Sequence, residues 1–128
     1  MNKERYNQLS KEILDASITV HKEMGPGLLE SVYEFCLMKE LELRGIVARN
    51  QVPVQLIYKG YELNKDYRID ILVENEVIIE LKAVEVLLPV HEAQIISHLK
   101  LTDKRLGFLI NFNVPLLKQG FRRFAYDF

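Results

Sequence analysis

The stretch from Tyr67 to Ala83 constrains the fold of this chain more than any other segment. Two runs rich in Ile, Val and Leu flank a polar break at residues 74–76, a pattern typical of a β-hairpin. Because successive side chains of a strand point to opposite faces, the apolar residues can fix the register. A three-residue turn at Glu74–Glu76 predicts one apolar face, whose opposed pairs are Tyr67 with Ala83, Ile69 with Leu81, Ile71 with Ile79, and Val73 with Val77.

The same register brings charged side chains together on the other face of the hairpin. Asp70 is expected opposite Glu80, with Cβ atoms roughly 5 Å apart, which is normally destabilising for two carboxylates. Arg68 is expected opposite Lys82. Sharing a proton or binding a cation would relieve the repulsion between the acids. A two-residue turn would instead pair Asp70 with Leu81 and mix polar and apolar groups on both faces, so the longer turn is favoured.

A solvated face is the plainer interpretation of these charges, since antiparallel sheets often bury one face only. Leu72 and Ile78 argue against it, because they extend the same face with apolar groups. Residues 77–81 also resemble a strand that is covered on both sides, where a Glu needs a purpose.

Metal-assisted hydrolysis of a phosphodiester would provide that purpose. Carboxylate oxygens suit Mg²⁺ or Mn²⁺, which keep bound waters and contact substrate phosphates. Asp70 and Glu80 are the candidate ligands of the cation. Lys82 lies two residues after Glu80, hence on the same face, and could orient or deprotonate the attacking water or stabilise the developing charge.

Hydrophobic patterns elsewhere predict the order of helices and strands. They predict a first helix from Leu9 to Met24 with Ser10 as a cap near its start, a break at residues 25–27, and a second helix over about 28–44 that stops at Gly45. A strand over 52–58 is predicted next, which turns at Lys59-Gly60 into a strand over 61–63. After the hairpin, the patterns predict a helix from Pro89 to about Leu101, a strand over 105–112 and a short amphipathic element from Val114. The predicted order is ααβββαβ. Residues 77–112 suffice for a parallel crossover, so we expect an α/β (α+β) fold, a mixed sheet flanked by helices, in one domain over 1–128.

The composition excludes several classes of protein. Of the 128 residues, 48% are hydrophobic, which is too many for a disordered chain. Apolar runs such as Val86–Val90 are far shorter than the roughly 18 residues of a membrane span, so no membrane contact is expected. No apolar signal core follows Met1, and a single cysteine, Cys36, excludes an internal disulfide. A reducing cytoplasmic location is therefore expected.

Charge is unevenly distributed along the chain. The net charge is −1, but residues 98–128 contain six basic and two acidic side chains, a net charge of +4. A basic carboxyl-terminal third is compatible with contact to phosphates, although a solvated charged face is the commoner explanation.

Two motifs carry a resemblance to a known group of proteins. Asp70, nine further residues and then Glu80-Leu81-Lys82 resemble the D…ExK core of the PD-(D/E)xK nuclease superfamily. The segment from Gly27 to Tyr33, read Gly-Leu-Leu-Glu-Ser-Val-Tyr, resembles the motif that names the GxxExxY protein family, a PD-(D/E)xK-like group. Further stretches that look like that family are residues 67–70, 80–85, 89–94 and 106–112, so the resemblance covers nearly the whole chain.

The resemblance implies a restriction-endonuclease-like core and a nuclease that cleaves DNA or RNA with Mg²⁺ or Mn²⁺. It implies four metal ligands, which are Asp70, Glu80, the backbone carbonyl of Leu81, and Glu30. It also implies that Gln94 supports the site, as the Gln does in the Q-x-x-x-Y arrangement of exonuclease-like branches. Position 98 is His here, where that arrangement has Tyr.

Other interpretations stay open at this point. The fold could serve as a non-catalytic module that binds nucleic acid or protein, or as a homo-oligomeric partner protein. Glu30 also suits a first-turn acid that interacts with the helix dipole. Tyr33 is interpreted as a packed aromatic residue with a hydrogen-bonded hydroxyl, and a lone helical His such as His98 is usually structural.

Overall fold

The computed structural model describes residues 1–63 and 66–128, and within them three long helices and seven strands. The elements are α1 (Lys3–Met24), α2 (Glu30–Leu43), β1 (Ala48–Pro53), β2 (Leu56–Tyr58), β3 (Tyr61–Leu63), β4 (Arg68–Val73), β5 (Val77–Lys82), α3 (Pro89–Thr102), β6 (Leu106–Asn111), a 3-10 helix (Leu117–Gly120) and β7 (Phe121–Ala125). Among the helices of the described ranges, none combines the length and the hydropathy that a membrane span requires.

The main sheet has the strand order β1-β4-β5-β6-β7. Its β5–β6 pair is parallel, with α3 in the connection, while its other three pairs are antiparallel. The predicted mixed sheet with flanking helices and the parallel crossover are therefore confirmed. The predicted hairpin turn at Lys59-Gly60 is also confirmed, since β2 and β3 pair on either side of it as a separate two-stranded sheet.

Of the strands in the main sheet, β7 is missing from the predicted order ααβββαβ, and β1 was predicted only in its last two residues. β1 and β7 are the edge strands, and each leaves most of its residues exposed or only half-buried. Their sequences, Ala-Arg-Asn-Gln-Val-Pro and Phe-Arg-Arg-Phe-Ala, therefore lack the apolar pattern of a buried strand. The predicted strand over 52–58 was wrong as one element, because β1 ends at Pro53 and β2 begins at Leu56.

The helix boundaries also differ from the predicted ones at two places. Helix α1 begins six residues before Leu9, and the side chain of Asn2 caps it by accepting a hydrogen bond from the backbone N–H of Arg5. Ser10 is not a cap, since its hydroxyl lies inside the helix and donates to the carbonyl of Tyr6. Helix α2 begins at Glu30, two residues later than predicted.

Two hydrophobic clusters cover the two faces of the sheet. One cluster packs α1 and α2 against the sheet; its fully buried members include Leu9, Ile13, Leu37, Leu41, Ile71, Ile79, Phe108 and Ile110. The other packs α3 against the opposite face; its buried members include Ile69, Leu72, Ile78, Ile95, Leu99 and Leu109. The central strands are thus covered on both sides, as the apolar run in residues 77–81 predicted.

The β4–β5 hairpin follows the predicted register only near its turn. The three-residue turn is present, with Glu74 and Asn75 at positive φ, and the paired positions run from Val73–Val77 to Ile71–Ile79. The predicted pairs beyond Ile71 were wrong, since the ladder between these two described strands does not include them: Ile69 with Leu81, Asp70 with Glu80, and Arg68 with Lys82. Ile69 packs in the α3 cluster and not beside Ile71, so the expected uniform apolar face was wrong beyond Ile71.

The turn before α2 is fixed by Tyr33, which is fully buried. The Tyr33 hydroxyl donates to the carbonyl of Gly25 at 2.5 Å and accepts from the backbone N–H of Leu28 at 3.1 Å. Its ring stacks on Phe112, with centroids 4.5 Å apart. Gly27 has a φ of 93°, which a residue with a side chain rarely adopts. Gly27 and Tyr33 therefore shape the turn that leads to Glu30.

Substituting Tyr33→Phe removes both hydrogen bonds and leaves the ring in place. We expect the free energy of unfolding in urea to fall by about 1–3 kcal/mol, because the Gly25 carbonyl and the Leu28 N–H lose a partner. Tyr58→Phe is the matched control, since Tyr58 is 62% exposed and its change is expected within about 0.5 kcal/mol. Equal stability of the two variants would contradict this role of Tyr33.

Candidate functional site

Asp70 joins β4 to β5 at the point where their ladder has ended. Its Oδ2 accepts a hydrogen bond of 2.8 Å from the backbone N–H of Leu81. The Asp70 side chain thus accepts the hydrogen bond of the Leu81 N–H, which in a continuing ladder would be donated to a backbone carbonyl of the neighbouring strand. The bond brings the Asp70 carboxylate beside the segment Glu80-Leu81-Lys82.

Glu80 is buried on β5 and reaches α3. Alternation along the strand puts it on the same face as Ile78, which packs against that helix. Oε1 of Glu80 lies 2.5 Å from Nδ1 of His98, and both side chains are about nine-tenths buried. The hydrogen bond to Glu80 raises the pKa of His98, against the opposing effect of desolvation. The two residues therefore form a buried pair between strand and helix.

The two carboxyl groups lie close enough to perturb each other. Burial, and then the negative charge of Glu80, raise the pKa of Asp70 to about 7. The hydrogen bond from the Leu81 N–H acts in the opposite direction, because it favours the ionised carboxylate. Asp70 is therefore an acid that holds a proton near neutral pH unless a cation takes the proton's place.

Glu30 and Lys82 lie at the periphery of this pair. Glu30 is the first residue of α2 and is exposed, yet partial desolvation raises the pKa of its carboxyl. The charge of Lys82 lowers that pKa, and the charge of Glu80 raises it. Lys82 is half-buried, and its ammonium forms no ion pair within 4.0 Å among the residues that the structure describes. Four predicted site residues thus share one electrostatic environment.

Gln94 lies on the same side of α3 as His98 but is not joined to the acids. His91, Gln94 and His98 recur at intervals of three and four residues, so they share one helix side. Gln94 is exposed, and no hydrogen bond links it to another residue in the described ranges. The role predicted for Gln94, support of the site, therefore has no direct contact behind it among the described residues.

Two contributors to the site were missed by sequence reasoning. His98 was interpreted as a departure from the Q-x-x-x-Y arrangement and, as a lone helical His, as a structural residue. The signal for a role in the site was its position one turn after Gln94, on a helix that follows the strand of Glu80. The second is Asn111, which is buried. Its side chain accepts from the N–H of Val84 at 3.1 Å and donates to the carbonyl of Val84 at 2.9 Å, and so holds the chain that leaves β5.

The donor set fits a hard divalent cation that keeps several water ligands. Within the described residues, the hydrogen bonds of the Asp70 and Glu80 carboxylates engage Oδ2 and Oε1, which leaves one further oxygen on each. No group of three or more His, Cys, Asp or Glu side chains in these ranges is arranged to hold a metal ion by itself. Water, substrate phosphate or the Leu81 carbonyl would have to complete the coordination, which is the usual manner for Mg²⁺.

Comparison with known proteins identifies a family. The family model described as the PD-(D/E)XK nuclease superfamily matches residues 7–124. The match spans the hairpin with both acids, helix α3 and most of β7. No curated protein and no solved structure matches the chain.

The raised pKa of Asp70 predicts a particular pH dependence of stability. The folded state holds the Asp70 proton up to about pH 7, whereas the ordinary pKa of this group is 3.8. Stability is therefore lost as the pH rises from 3.8 to 7, and Asp70→Asn abolishes this loss. Relative to the wild type, the variant should gain about 2 kcal/mol in the free energy of unfolding between pH 5 and pH 8, measured in urea with a metal chelator.

Asp127→Asn is the matched control for this measurement, because the Asp127 side chain is 80% exposed. Its stability should run parallel to that of the wild type over the same pH range. A constant difference between Asp70→Asn and the wild type from pH 5 to pH 8 would show that the Asp70 proton is not held by the fold.

Proposed function

Because the chain belongs to the PD-(D/E)XK nuclease superfamily, we propose that it is a divalent-metal-dependent nuclease that hydrolyses phosphodiester bonds in DNA or RNA. One observation supports this proposal above all others. Asp70 and Glu80 lie close enough that the charge of Glu80 helps to raise the pKa of Asp70 to about 7. Two such acids at the end of a strand ladder are well suited to a site for Mg²⁺ or Mn²⁺.

In this proposal, Asp70, Glu80 and the carbonyl of Leu81 hold the cation, and Glu30 joins them from α2. When bound, a divalent cation lowers the pKa of a ligand water and polarises the phosphate. Glu30 is suited to an outer position, since it is exposed and is the first residue of α2.

Lys82 would act on the water or on the phosphate. It follows Glu80 by two residues, so it lies on the same face of β5. An ammonium without an ion-pair partner among the described residues can orient a water or neutralise charge that develops on the phosphate. Gln94, on the helix side that carries His98, would contact the substrate or a bound water.

Several finer assignments belong to the same proposal. Within the superfamily we assign the chain to the GxxExxY group, on the motif that ends at Tyr33. We propose that residues 1–128 act as one domain, in a reducing cytoplasmic setting that keeps Cys36 a thiol. Assembly into a homo-oligomer is a further part of the proposal, and a measurement of the molecular mass in solution tests it.

A non-catalytic nucleic-acid-binding module is the second candidate. The observation that favours it is that both acids already have internal partners, Leu81 for Asp70 and His98 for Glu80. In that case the basic residues of the carboxyl-terminal third, such as Arg123, would bind phosphates, and binding would weaken steeply with salt.

The direct test is cleavage of single- and double-stranded DNA and RNA with Mg²⁺ or Mn²⁺. We expect Glu80→Gln and Asp70→Asn to reduce the cleavage rate about 100-fold or more, because metal-assisted catalysis contributes several kcal/mol. Glu42→Gln is the control, since the Glu42 side chain is 73% exposed on α2 and pairs only with Lys39 among the described residues.

The outcome separates the two candidates. Cleavage by the wild type and by Glu42→Gln, with loss in both site variants, supports the nuclease. Equal behaviour of the wild type and Glu80→Gln on every substrate contradicts it. Salt-sensitive binding without cleavage would establish the binding module instead.

A further inference from the structure

His98 engages one of the two carboxylate oxygens of Glu80. Nδ1 of His98 lies 2.5 Å from Oε1 of Glu80, within hydrogen-bonding distance. The side chains are only 12% and 10% exposed, so water competes little for either atom. The pairing thus defines which Glu80 oxygen is engaged by the protein.

The helix holds the His98 ring in place. Leu99, the next residue in sequence after His98, and Ile95, about one turn before it, are fully buried against the sheet. The carbonyl of His98 accepts a hydrogen bond of 2.6 Å from the Thr102 hydroxyl in the last turn. A ring mounted on such a backbone is a rigid partner, whereas a Glu side chain alone has several rotatable bonds and loses rotamer freedom when it is fixed.

Among the described residues, the side chain of His98 is hydrogen-bonded to the acid pair through Glu80. The Nδ1 atom of His98 is hydrogen-bonded to the Glu80 carboxylate. Within the described residues, His98, Asp70 and Glu80 are not arranged as a set of three side chains that could hold a metal ion. A hydrogen-bonded partner behind a ligating carboxylate typically orients that ligand and tunes its affinity for metal.

We propose that His98 is a positioning residue, which orients Glu80 so that its second carboxylate oxygen, together with Asp70, binds a divalent cation. This inference rests on the proposed metal site, but it assigns a role that the D…ExK motif does not include. It makes the affinity for metal depend on the hydrogen bond donated by residue 98 and not on the aromatic ring itself.

The test measures Mn²⁺ binding alone, without nucleic acid, by isothermal titration calorimetry. His98→Leu removes the donor and should raise the dissociation constant for Mn²⁺ by about 10–100-fold. His98→Asn keeps an N–H donor close to the position of Nδ1 and should restore binding to near the wild-type level. Glu80→Ala defines the titration that remains when the site is absent.

His21→Leu is the matched control for loss of a buried His. His21 is 8% exposed, and its Nε2 is hydrogen-bonded to the carbonyl of Val114 at 2.8 Å, outside the acid pair. Its loss should lower the melting temperature and leave the affinity for Mn²⁺ unchanged. If His98→Leu does not fold, His98→Ala replaces it, and the same comparison with His98→Asn applies.

Each outcome decides the inference. Weaker binding in His98→Leu with recovery in His98→Asn supports it. Wild-type affinity in His98→Leu, with loss in Glu80→Ala, overturns the role of His98 and leaves the proposed metal site intact. An equal loss of Mn²⁺ affinity in His98→Leu and His98→Asn overturns the hydrogen-bond role, since it indicates that His98 itself is a metal ligand. If Glu80→Ala binds Mn²⁺ as the wild type does, the inference and the proposed metal site both fail.

Discussion

Electrostatic repulsion between two carboxylates at the end of the β4–β5 ladder is the constraint on which the account depends. Burial and the nearby charge of Glu80 raise the pKa of Asp70 to about 7, so the metal-free fold keeps a proton there. Two neighbouring groups offset the cost: the Leu81 N–H, which donates to Asp70, and His98, which is hydrogen-bonded to Glu80. Two carboxyl groups held together at a cost in folding stability, with a strongly shifted pKa, are typical of a functional site.

Sequence reasoning predicted the interior of the fold better than its edges. Strands β5 and β6 are apolar on both faces because helices cover them, and this produces the long runs of Ile, Val and Leu that identify them. β1 and β7 border the sheet, so half of their surroundings is solvent and their sequences carry no comparable pattern. The register of β4 was predictable near its turn, but Asp70 ended the ladder by a side-chain hydrogen bond that no periodicity encodes.

The site was predictable in part for the same reason. The alternation along the hairpin predicted that Asp70 and Glu80 share one face, but the direct pairing expected for them is not part of the observed ladder. The motif that ends at Tyr33 singled out Glu30, although the helix was predicted to begin two residues earlier. The bond between Glu80 and His98 depends on how α3 is rotated against the sheet, which the buried residues Ile95 and Leu99 determine in three dimensions. Sequence spacing alone does not relate a helix to the strand below it, so the partner of Glu80 required the structure.

A crystal structure soaked in Mn²⁺, with the ion located by its anomalous scattering, tests the central claim most directly. The account predicts one strong peak within coordination distance of both the Asp70 and Glu80 carboxylates, with His98 still bonded to Glu80. A map with no peak between the two acids, or with Mn²⁺ bound only at other residues, would contradict the account.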